Sequence, residues 1–107
     1  MGRFVLIAQH NARSGQDQEF NRWYDTHVAD VLRCPGFISA ERFELGLGES
    51  SNYRYLTIYQ IETDDLEVAK AAMRSRIGSS EMRISDSVDR ERTSSVYWAS
   101  IGNPTAK

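Results

Sequence analysis

A chain of 107 residues suits one domain. It carries 13 basic and 15 acidic residues, a net charge of −2, so there is no electrostatic argument for binding nucleic acid or an anionic membrane. A single cysteine, Cys34, excludes an intramolecular disulfide and a Cys-based zinc site.

The first element is the apolar, β-branched run Arg3 to Gln9, which predicts a buried strand. Its apolar core, Phe4 to Ala8, is too short for a signal-peptide core or a membrane span, and a soluble cytoplasmic protein is the expectation. His10 to Gly15 is expected as a loop. One amphipathic helix follows from about Gln16 to Arg33. With Phe20 at the centre of a wheel stepping about 100° per residue, Val31 falls about 20° to one side and Tyr24 about 40°. His27 falls about 20° to the other side and Trp23 about 60°. The imidazole therefore sits in the middle of the apolar face, flanked by aromatic rings. Pro35 stops the helix, because the residue before a proline is pushed out of the α region.

Pro35-Gly36 reads as a turn. The strand Phe37 to Leu45 places Phe37, Ser39, Glu41, Phe43 and Leu45 on one face, with Ile38, Ala40, Arg42 and Glu44 on the other. Gly46 to Asn52 is a connection. Tyr53 to Ile61 is a strand whose odd positions, Tyr53 to Ile61, share a face. A second helix starts at Asp64, with Glu67 in a capping box, a stripe of Leu66, Ala69, Met73 and Ile77, and Gly78 as its C-terminal cap. Gly78 to Arg92 is polar, with Met82 and Ile84 as anchors of a short helical turn. Ser95 to Ile101 is the last strand. The domain spans 1–102, and 103–107 is a polar tail.

Strand, helix, strand, strand, helix, strand is the split βαβ pattern of α+β ferredoxin-like folds, βαββαβ. Its four-stranded antiparallel sheet carries both helices on one face. Apolar residues occur on both parities of the strands, more than two helices cover. Burial of the second face against another copy of the chain, at about 25 cal/mol per Å² of apolar area, predicts a homodimer.

Three stretches carry a resemblance: Glu19-Phe20-Asn21-Arg22-Trp23-Tyr24-Asp25-Thr26-His27, Pro35-Gly36-Phe37-Ile38-Ser39-Ala40-Glu41-Arg42-Phe43 and Tyr55-Leu56-Thr57-Ile58-Tyr59-Gln60-Ile61. Over roughly residues 3–101 the chain resembles the EthD-like branch of the dimeric α+β barrel superfamily. The resemblance implies a dimeric α+β barrel with a pocket between sheet and helices, His27 at its wall. The superfamily includes cofactor-free monooxygenases, lactone isomerases, polyketide cyclases, haem-degrading enzymes and proteins of no assigned activity, so the fold does not fix the reaction.

His27 is the first candidate catalytic residue, since a neutral imidazole takes or gives a proton near pH 7. The competing reading is a buried structural histidine bonded to a carbonyl or a tyrosine. Tyr59 could donate to a developing enolate oxygen or orient the imidazole; the alternative is a sheet face packed with aromatics. Trp23, Tyr24 and Trp98 are candidates for stacking on a flat substrate, or large core residues. Asn11, with His10, follows the first strand, where loops supply polar contacts to pockets; a solvent-exposed turn competes. Arg42 is read first as a partner for a carboxylate across the dimer interface, then for an acidic substrate. No metal-ligand spacing occurs, and no metal or cofactor is expected.

By analogy with the resembling proteins, the leading expectation is a cofactor-independent enzyme on a small apolar carbonyl or phenolic compound. It would work by proton transfer at His27 as an isomerase, cyclase, lyase or quinol-type monooxygenase. The alternatives are a non-catalytic small-molecule-binding dimer and a structural dimerisation module without a pocket.

Overall fold

The computed structural model describes residues 1–107. Its elements run β1 (Gly2–Ala12), α1 (Asp17–Val31), β2 (Phe37–Glu44), β3 (Tyr55–Thr63), α2 (Leu66–Arg76) and β4 (Val88–Ala99). The sheet order is β2-β3-β1-β4, and every neighbouring pair is antiparallel. This is the expected ferredoxin-like βαββαβ arrangement.

Helix α1 buries Phe20, Tyr24, His27 and Val31, a spacing of four, three and four residues that makes one stripe. Helix α2 buries Ala69 and Met73, and its N-cap is Asp65 rather than Asp64. The Asp65 carboxylate accepts from the Glu67 and Val68 backbone N–H groups at 3.0 and 3.4 Å. Gly78, at φ +80°, follows the C-cap as expected.

Both helices pack on one sheet face. Leu6 and Ala8 of β1, Tyr59 and Ile61 of β3 and Phe37 of β2 share a core with Val31, Cys34, Ala69, Met73 and Met82. A second cluster joins Phe20 and Tyr24 to Tyr55 and Val88. Each such large apolar side chain contributes roughly 1.5–3 kcal/mol on burial. Met82, expected on a short helical turn, is instead fully buried beside an isolated bridge to Ile77.

Two local features reset the faces read from the sequence. The Pro35-Gly36 turn seats β2: Gly36 has φ +90°, and a Cβ there would lie 3.3 Å from the Glu62 carbonyl oxygen. A bulge then follows, since Phe37 pairs with Ile61 but Ser39 pairs with Gln60. The extra residue, Ile38, turns outward. Phe37 thus shares the helix-covered face with Ala40 and Arg42, which pair with Tyr59 and Thr57, and Phe43 pairs with Leu56 on the opposite face. The second feature is the length of β1. It continues through His10, paired with Tyr55 and Thr93, to Ala12, paired with Val88, so His10 and Asn11 are strand residues.

The opposite sheet face has no helix over it. Val5, Ile7, Leu56, Ile58, Phe43, Val96 and Trp98 meet there by register. Phe43, Val96 and Trp98 are 43%, 44% and 57% exposed. No helix of the protein is long and apolar enough to cross a membrane.

Candidate functional site

The chemistry-bearing side chains of the covered face converge on Tyr24. Helix α1 presents Trp23, Tyr24 and His27, β1 presents His10, β2 presents Arg42, and β3 presents Tyr59. The Trp23 and His27 rings stack with centroids 4.6 Å apart and planes 24° from parallel. Tyr24 meets His27 edge-on at 5.1 Å and lies 5.6 Å from His10. Its hydroxyl is 3.3 Å from the Tyr59 hydroxyl. The Arg42 guanidinium carbon stands 4.4 Å from the Tyr24 ring centre.

Three buried polar atoms in this cluster lack a hydrogen-bond partner in the protein: Nδ1 of His10, Nδ1 of His27 and Nε of Arg42. Orphaned groups of this kind are rare in interiors, because each carries a desolvation penalty of about 1–3 kcal/mol. Their concentration around one tyrosine distinguishes this spot from the rest of the core.

The electrostatics follow from burial. Desolvation, reinforced by the positive charge of Arg42, pushes the His10 imidazole down to about 4. Desolvation, then the neighbouring His10, pushes His27 down to about 4 against an opposing pull from Asp30. Both rings are therefore neutral at pH 7. Burial raises Tyr59, and the adjacent Tyr24 hydroxyl adds to it. Burial also raises Tyr24, opposed by the hydrogen bond with Tyr59 and the charge of Arg42. Both phenols keep their protons and can donate.

The structure brings together His27, Tyr59, Trp23 and Tyr24 of the residues singled out from the sequence. It does not bring Asn11 or Trp98 to them. The Asn11 amide is spent on the chain before β3, donating to the Asn52 carbonyl at 2.8 Å and accepting from the Arg54 N–H at 2.9 Å. Trp98 pairs with Val5 on the uncovered sheet face, where its indole cannot reach His27. His10, expected with Asn11 in a loop that could reach a pocket or face solvent, lies instead within β1 and joins the cluster. Arg42, expected first to pair with a carboxylate across the dimer interface, is turned by the bulge under α1 and away from the uncovered face.

None of the five principal surface clefts is lined by His10, Tyr24, His27 or Tyr59. Trp23 covers His27, and its indole N–H donates to the Arg83 carbonyl at 2.9 Å. No group of three or more His, Cys, Asp or Glu side chains is placed to hold a metal ion.

No protein-family model matches the chain, and no curated protein matches it significantly in sequence. Solved structures do share its shape. A DABB family protein with a ferredoxin-like fold from Mesorhizobium loti superposes with a TM-score of 0.66 at 9% identity, covering 95% of this chain and 100% of its own. SnoaB, a cofactor-independent oxygenase from Streptomyces nogalater, gives 0.60 at 14%, covering 98% and 97%. An EthD family protein from Bacillus halodurans gives 0.57 at 16%, covering 98% and 100%. The EthD protein is one neighbour among several kinds, and at these identities the likeness is one of fold: this chain is similar across nearly its whole length to ferredoxin-like proteins of the α+β barrel type.

Proposed function

We propose that the chain is a homodimeric, cofactor-independent enzyme acting on a small carbonyl or phenolic compound, with His27 as the proton-transferring group. The observation that carries the reading is the pair of buried, neutral imidazoles whose Nδ1 atoms are unpaired, set beside two protonated tyrosines. A neutral imidazole is a competent acceptor of a proton from carbon or a phenol. A Tyr59 or Tyr24 hydroxyl can donate to the oxygen on which negative charge then develops. In this reading the rings of Trp23 and Tyr24, which flank His27, would be the flat apolar walls once the Trp23 indole moves off the imidazole. A cofactor-independent oxygenase is among the solved structures that share this fold, at 14% identity, so the fold is compatible with such a reaction. The homodimer is supported by the apolar, uncovered sheet face around Trp98.

Hydrogen–deuterium exchange tests the reading without a known substrate. The wild-type protein in D₂O is expected to accelerate α-proton exchange of an enolisable aryl ketone, and His27→Gln to lose about 10²–10⁴-fold of that acceleration. The acid limb of the profile is expected near pH 4 rather than 6.5, because the base must be unprotonated to act. Equal exchange by wild type and His27→Gln would remove His27 from the chemistry.

A second reading, a non-catalytic binding dimer or structural module, is favoured by one specific observation. The stacked Trp23 closes His27 off from every principal cleft. It expects no exchange above background with any enolisable compound.

A further inference from the structure

Two arginines of the chain are half-buried, and they differ in one respect. Arg76 is paired with the Glu81 carboxylate at 3.3 Å. Arg42 has no carboxylate partner. One of its terminal nitrogens donates to the Asn21 side-chain oxygen at 2.8 Å, and its buried Nε donates to nothing. Below it lie the rings of Tyr24, Phe20 and Tyr55, with the guanidinium carbon 4.4, 5.8 and 5.9 Å from their centres. Ring faces attract the charge, but they accept none of the in-plane N–H bonds of a guanidinium.

The nearby carboxylates are committed elsewhere. Asp17 accepts from the Tyr55 hydroxyl at 2.7 Å and from Arg54 at 3.1 Å. Glu44 accepts from Arg54 at 3.0 Å. Both acids have been drawn to the exposed Arg54, and the half-buried Arg42 beside them is left free. A cleft of about 210 Å³ opens at this point between α1 and the β2 edge, lined by Asn21, Arg42, Phe43, Glu44 and Tyr55.

We infer that this cleft is an anion subsite in which Arg42 receives the carboxylate of a small aromatic compound, with Asn21 and Tyr55 beside it. A planar carboxylate matches the fork of the two terminal nitrogens, only one of which is held by Asn21. Of the lining residues Phe43 and Tyr55 are the apolar ones, Phe43 partly exposed at the β2 edge and Tyr55 buried against Phe20. The subsite stands on geometry independent of His27. Only its extension, that the substrate of the Tyr24–His27 cluster carries such a carboxylate, rests on the function proposed above.

The test is a titration of ¹⁵N-labelled full-length protein at pH 7 with benzoate and, in parallel, with benzamide, followed by amide shifts. Benzoate is expected to move Asn21, Arg42 and Tyr55 saturably, with benzamide at least tenfold weaker. Arg42→Gln, which can still bond Asn21, is expected to weaken benzoate at least tenfold; should it fail to fold, Arg42→Lys is expected to weaken it several-fold by losing the fork. Equal binding of the two probes, shifts confined to other surfaces, no saturable shift at all, or undiminished binding to the Arg42 variant would overturn the subsite. His27→Gln is expected to bind benzoate like wild type. Normal benzoate binding together with unaltered proton exchange in that variant would overturn the proposed function alone.

Discussion

Trp23 lies flat on His27, its ring 4.6 Å away, and the indole N–H is tied to the Arg83 carbonyl on the segment between α2 and β4. The stack joins the surface to the buried cluster, since Trp23 is half-buried while His27 is only 6% exposed. Desolvation is the largest cause of the lowered basicity of His27, so removing the indole should relieve it. Trp23→Ala is expected to move the His27 titration upward toward 6.5, readable by NMR, and to cost about 2–4 kcal/mol of stability from lost packing. An unmoved His27 in a folded Trp23→Ala protein would show that other groups exclude the water.

The same burial makes folding pH-dependent. In the unfolded chain each histidine binds a proton below about pH 6.5, whereas in the folded protein neither does until about pH 4. The unfolded state therefore binds more protons between these values. The stability contributed is fully present above pH 6.5 and is lost as pH falls toward 4. Between pH 7 and 5.5, above the main carboxylate range, the loss is about 1 kcal/mol per histidine. Urea denaturation at those two pH values should show it, and His10→Gln and His27→Gln should each remove about half. A midpoint that holds steady in wild type would mean that one or both imidazoles are solvated.

The Tyr24–Tyr59 hydroxyl pair is long, at 3.3 Å, but both groups are buried. Tyr59→Phe keeps the ring volume and removes the hydroxyl partner of Tyr24. The expected loss is about 1 kcal/mol in thermal or denaturant unfolding. A loss several times larger would indicate that the phenol anchors a wider network than the one described.

On the other side of the sheet, Trp98 is the most exposed large ring of the uncovered face. Trp98→Glu places a charge where a partner sheet would have to lie, and burying an unpaired carboxylate is prohibitive. Native mass spectrometry is expected to give twice the chain mass for wild type and a single chain mass for Trp98→Glu, with unchanged far-ultraviolet circular dichroism. A wild-type protein that stays monomeric at micromolar concentration contradicts the dimer.

Much of this was legible from residue spacing. The α1 stripe of Phe20, Tyr24, His27 and Val31 follows directly from the helical period, and the same four residues are the ones buried. The order of elements gave the ferredoxin-like topology. What sequence could not show arises from pairing between distant strands. Gln9-His10-Asn11 is polar and reads as a loop, yet partners on both sides, Tyr55 and Thr93 for His10, hold it in the sheet. The faces of β2 depend on a bulge at Ile38 that no local turn residue announces, and a one-residue slip sends Arg42 to the opposite side. β4 begins at Val88, seven residues before the expected start at Ser95, because an edge strand exposed along most of its length can be built from polar residues such as Asp89 to Ser94.

The most direct test of the account is NMR titration of the two imidazoles in the intact protein, which contains no other histidine. Both His10 and His27 are expected to remain neutral from pH 8 to about pH 5 and to titrate near 4. Titration of His27 near 6.5 with the shifts of a solvated ring would contradict the account, because the buried neutral base at its centre would then not exist.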